Sequence, residues 1–159
     1  DEMVQVTDRA VKHLNLSTGE WTSHPLPDGP KRFNAIAARV GREMYWCNRK
    51  QMLESYNLDT HAMTTHGVAP WPVPARGWEM QMVMPYGDKL VVVRPVARPD
   101  SKRHAAIYDP ASRQWATLDP GEGWGNTGMV HSSGKLILMG GGIDGPAHHN
   151  KFVWVGDLP

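Results

Sequence analysis

Apolar positions in this chain come in short runs, each closed by Gly, Pro, Asn or Asp. Some runs alternate with polar residues, as in Glu79-Met80-Gln81-Met82. Others are unbroken, as in Leu136-Ile137-Leu138-Met139. Short apolar or alternating runs bounded by turn residues predict β-strands.

The runs recur. "LNLSTGEW" spans Leu14 to Trp21, "YNLDTHAM" spans Tyr56 to Met63 and "YDPASRQW" spans Tyr108 to Trp115, each with a large apolar residue at both ends and a polar turn between; they begin 42 and then 52 residues apart. In a second register "GREMYWC" at Gly41, "GDKLVVV" at Gly87 and "GKLILMGG" at Gly134 each put a glycine turn before an apolar strand, 46 and then 47 residues apart. Ahead of these stand "NAIAARV", "EMQMVMPY" and "NTGMVHSS", and the N-terminal stretch from Met3 aligns with that from Met44. The phase of the repeat places its start ahead of residue 1.

Each unit therefore reads as a four-stranded antiparallel meander. A Gly turn joins strands one and two, a variable loop joins two and three, and the Tyr-to-Trp turn joins three and four. A Pro/Gly-rich loop leads on. The expected segments are a partial unit at 3–23, full units at 34–66 and 79–118, and a partial unit at 127–157, about fourteen strands in all.

Four-stranded units at this period are the signature of β-propeller blades. The chain resembles the kelch family in particular. "KLILMGGG" is similar to that family's strand ending in a Gly-Gly doublet, and "HAAIYDPASRQW" to the strand that follows with its Tyr and Trp. The earlier units depart from it, with "MYWCN" and "VVVRP" where the doublet stands and Met63 where Trp is usual. The resemblance implies an all-β propeller segment of three to four blades, in a ring completed by a second chain or by further sequence.

Composition narrows the classes. With 40% apolar and 21% charged residues, 16 Gly and 13 Pro, the chain is ordered and rich in turns. A net charge of +1 supplies no overall attraction to nucleic acid or an anionic membrane. No apolar run approaches the ~20 residues of a membrane helix. The single cysteine, Cys47, cannot form an internal disulfide, which tilts the expectation toward a reducing, cytoplasmic setting. The Asn15-Leu16-Ser17 sequon is short enough to arise by chance.

Catalytic signals are thin. Threefold recurrence marks Tyr108 and Trp115 as packing positions, and the Gly140-Gly141 doublet is not followed by a phosphate-loop pattern. His61 with His66, and His148 with His149, suggest metal ligation, but without the further ligands that zinc requires. Ser132-Ser133 lacks the glycines of a nucleophile elbow. Propellers similar to galactose oxidase use Tyr, His and a Cys-linked Tyr for copper; Cys47 with Tyr45 or Tyr108 could be cast in those roles, but no Tyr-His dipeptide is present. No cofactor or metal is expected. A carbohydrate-active propeller, either such an oxidase or a sugar mutarotase or epimerase, is the alternative to a binding module.

The meander sorts the loops by parity. The two-to-three and four-to-one connections leave one end of the units: residues 7–10, 24–33, 48–52, 67–78, 94–103, 119–126 and 140–149. They carry ten of the 17 basic residues against six of the 16 acidic ones. Three of the seven tryptophans also fall there. The expected partner-binding residues are Arg49, Trp71, Arg76, Trp78, Arg94, Arg98, Arg103 and Trp124. Long loops bearing Arg and Trp suit an acidic peptide, with guanidinium forks on carboxylates. An anionic sugar is a further candidate. The modest charge and lack of a recognised motif argue against nucleic acid.

Overall fold

The computed structural model describes residues 2–28, 37–48, 50, 52–70, 82–94 and 104–118, together with three later strands at the level of the backbone. It is all-β among these residues, in fourteen strands. The first sheet holds β1 (Glu2–Val6), β2 (Ala10–Asn15) and β3 (Trp21–Pro25). The second holds β4 (Ala38–Val40), β5 (Glu43–Cys47), β6 (Met52–Asn57) and β7 (Met63–Val68). The third holds β8 (Met82–Tyr86), β9 (Lys89–Arg94), β10 (His104–Asp109) and β11 (Gln114–Leu118). The fourth holds β12 (Gly128–Ser132), β13 (Lys135–Met139) and β14 (Val153–Asp157). Within each sheet, neighbours in sequence are neighbours in space and pair antiparallel.

The turn between the last two strands of a unit is the same device three times over. The side-chain oxygen of Asn15 accepts from the amides of Ser17 and Thr18, that of Asn57 from Asp59 and Thr60, and that of Asp109 from Ala111 and Ser112. Four residues after each Asx, the chain enters the left-handed region, at Gly19 (φ 72), His61 (φ 61) and Arg113 (φ 58). Only glycine takes that conformation without steric cost. The sequon asparagine thus already has a local task, closing its turn.

Successive sheets pack by their faces. Val4, Val6 and Val11 of the first sheet meet Met44, Trp46 and Tyr56 of the second. On its other face the second sheet presents Tyr45, Cys47 and Leu53 to Leu90, Val92, Ala106 and Tyr108 of the third. Val91, Val93, Ala105 and Ile107 form the apolar layer on the far side of the third sheet. Alternation along β5 and β9 thus buries both faces, which is why those runs are unbroken in the sequence.

The face that each later sheet turns to its predecessor fares differently in the first. Met44, Tyr56 and Tyr108 are buried there, whereas Trp21 is 51% and Met3 47% exposed. The register puts Met3, Leu14 and Trp21 on one face, opposite the one that meets the second sheet.

Candidate functional site

The eight residues expected to bind a partner fall almost wholly outside the described residues: Arg49, Trp71, Arg76, Trp78, Arg98, Arg103 and Trp124. Arg94 is the last residue of β9, paired with His104, at the mouth of the 95–103 connection. His148 and His149 also lie outside the described residues. Within each sheet the antiparallel order sets which end a connection leaves. The connections following β1, β5 and β9 leave one end of their sheets, and those following β2, β4, β6, β8 and β10 the other.

The described polar groups cluster between sheets. At the boundary of the second and third, a bulge between the pairs Leu53–Gly67 and Glu54–Thr65 leaves His66 as the extra residue of β7. Gly67 takes φ 95 there. His66 Nε2 lies 2.8 Å from Ser55 Oγ and its Nδ1 lies 2.9 Å from Tyr108 Oη, with Tyr45 packed against the ring. A neutral imidazole donates through one nitrogen and accepts through the other, and the two hydroxyls adapt to either tautomer. Burial, then the nearby charge of Arg113, holds the ring below its ordinary pKa and so neutral.

Between the first and second sheets lies a histidine cluster that sequence reading missed. His24 of β3 stacks on His61 with centroids 3.8 Å apart, and His13 of β2 stands edge-on to His24 at 5.3 Å. Tyr56 Oη lies 2.7 Å from His61 Nδ1. His61 and His66, paired in the sequence reading, therefore serve opposite faces of the second sheet. Beside the cluster, Glu2 pairs with Arg39 and Arg42, and Arg42 reaches on to Asp59 at 2.7 Å. Arg42 leads the groups holding Glu2 and Asp59 below their usual carboxylate range. A polar cleft of about 760 Å³ opens here, lined by His13, Asn15, Glu20 and Thr22 with Glu2, Arg39 and Arg42. Its arginines already hold carboxylates of the chain itself.

Cys47 is buried, and desolvation, reinforced by Glu54, pushes its thiol well above the usual range. Burial, with Glu43 and then Tyr108, raises Tyr45 to about 12. Both shifts hold the neutral, unreactive forms. Glu54 is buried as well, accepting from Trp46 Nε1 and Asn48 Nδ2 at 2.8 Å each. Among the described residues no group of three or more His, Cys, Asp or Glu side chains is placed to hold a metal ion. No helix there is long and apolar enough to cross a membrane.

Neither a family model nor a curated protein matches the chain.

Proposed function

We propose that the chain is a segment of a kelch-like β-propeller acting as a binding module, which takes an acidic peptide motif on its long-loop face through Arg49, Arg76, Arg94, Arg98 and Arg103, with Trp71, Trp78 and Trp124 as anchors. The observation that carries the reading is the division of connections in the antiparallel meanders. Asx and glycine turns close one end, and the remaining connections, short after β1 and β5 but long elsewhere, carry ten of the 17 basic residues and follow from the opposite strand ends. Serially stacked antiparallel meanders of three or four strands with a repeated Tyr position support the propeller half of the reading.

Such a face works by charge and by desolvated aromatic anchors. Arginines on such a face speed encounter with an acidic partner, and tryptophan anchors supply most of the contact energy once desolvated by it. The ring would be completed by a second chain or by further sequence.

The test is charge reversal at Arg76 and Arg98 with an Asp/Glu-rich fluorescent peptide as the probe. Binding followed by anisotropy should weaken at least about tenfold, equivalent to about 1.4 kcal/mol, while thermal unfolding stays unchanged. Equal binding by the reversed variant rejects the face. A glycan array probed in parallel would instead reveal selective capture of anionic sugars, which rejects the peptide as ligand.

A further inference from the structure

The first two sheets are joined by more than apolar packing. His24 comes from β3, which has one strand neighbour, and His61 from the turn between β6 and β7; their rings lie nearly parallel, 16° apart at 3.8 Å. His61 sits in the left-handed backbone position that glycine fills in the first turn. A non-glycine residue there carries steric strain, and an observed outlier of this kind invites a functional reading. Its ring is fixed by Tyr56 Oη at 2.7 Å, and the edge of His13 closes the third side.

We propose that the contact between the first and second sheets is a pH-sensitive joint, closed while the His24 ring is neutral and stacked on His61, and loosened when acidification charges His24.

The charged groups that face the pair come from every neighbouring element. Glu2 of β1 lies 3.5 Å from His13 Nδ1 and is shared with Arg39 of β4 and with Arg42. Oδ1 of Asp59, in the same turn as His61, accepts from both Nε and Nη2 of Arg42 at 2.9 and 2.7 Å. Glu20 stands at the cleft rim, and Glu54 of β6 lies deeper, holding Trp46 and Asn48. The two carboxylates next to the histidines are thus already neutralised by arginine. A charged His24 ring, held between His13 and His61, would then lack both water and a free counter-charge. It regains water by leaving the stack, and because His24 and His61 belong to different sheets, that motion parts the sheets at the β3 edge. The direction agrees with the lowered pKa of His24, which follows burial first and then its two histidine neighbours.

Amide hydrogen exchange reads this directly. Protection of the Trp21–Leu26 segment, corrected for intrinsic rate, should fall severalfold between about pH 7.5 and about pH 5, while β9 and β10 of the third sheet keep theirs. The double variant His24→Asn, His61→Gly should lose the pH response. His61→Gly alone, which installs the residue used by the first turn, should reduce it and serves if the double variant does not fold. An unchanged response in either variant, a wild type with no response, or an equal loss across the third sheet each overturns the proposal.

Discussion

Tyr108 Oη lies 2.9 Å from Nδ1 of His66, forty-two residues earlier and on the adjacent sheet. The residue that opens the third turn motif is thereby tied to the bulge residue of its neighbour. Tyr108→Phe keeps the ring, which is fully buried, and removes only the hydroxyl, leaving a half-buried imidazole nitrogen short of a partner. We expect a loss of about 1–3 kcal/mol in urea unfolding. Tyr56→Phe is the matched comparison, because its hydroxyl meets the exposed His61. Water can replace that bond, so its cost should fall near about 0.5–1.5 kcal/mol. Equal costs for the two would show that burial of the histidine is not what sets them.

Stability should fall on mild acidification. His66 and His24 both have folded pKa values below the ordinary 6.5, mainly through burial. The unfolded chain therefore takes up protons first as pH drops, and binds more of them than the folded chain between 6.5 and the folded values. Stability is full above that interval and is lost as pH falls through it. Glu2, Asp59 and Asp109, whose folded values are lowered, add a second loss deeper in the acid range. Urea midpoints across pH should show both steps, and His66→Gln should flatten the first. A midpoint constant from neutral pH to the carboxylate range would contradict the histidine contribution.

The two ends of the repeat should respond unequally to truncation. Tyr56 is buried between sheets while Trp21, at the end of the same turn motif one unit earlier, is 51% exposed. Tyr56→Ala should cost about 3–5 kcal/mol by analogy with other buried aromatics. Trp21→Ser should stay within about 0.5 kcal/mol, as exposed substitutions do. A large loss at Trp21 would mean that its face is covered in solution.

Much of the architecture was written in local signals. Glycine and Asx turns set the strand ends, and the apolar runs of β5 and β9 after Gly41 and Gly87 marked them as strands. The bulge at His66 was not legible, because an extra residue in β7 leaves no compositional mark beyond Gly67. Nor was the His13–His24–His61 cluster: His13 and His24 sit on neighbouring strands of the first sheet, but His61 comes from the next unit and meets them only through packing of two sheets. Superposing the repeats in sequence was the one signal that could have found it, since His61 holds the place of Gly19. The loop residues on which partner binding was placed are irregular in length and composition, so the repeat that orders the strands says nothing of their conformation.

The shared turn yields a stabilising substitution. Arg113 adopts φ 58 where the first turn has Gly19 at φ 72. For an L-residue this region costs about 1–2 kcal/mol, partly offset in Arg113→Gly by the larger entropy of glycine in the unfolded chain. The variant should gain about 0.5–1 kcal/mol. The reverse change, Gly19→Ala, should lose a comparable amount although a Cβ there would meet nothing within 4 Å, because the strain lies in the backbone and not in crowding. Arg113→Gly carries a second signature. The arginine charge helps keep His66 neutral, so its removal should let His66 protonate more readily in the folded chain and make the loss of stability on mild acidification shallower. Histidine NMR titration of the variant, alongside its urea midpoint, separates the two effects. An unmoved His66 titration would rule out the charge coupling, and an unmoved midpoint would rule out the backbone argument.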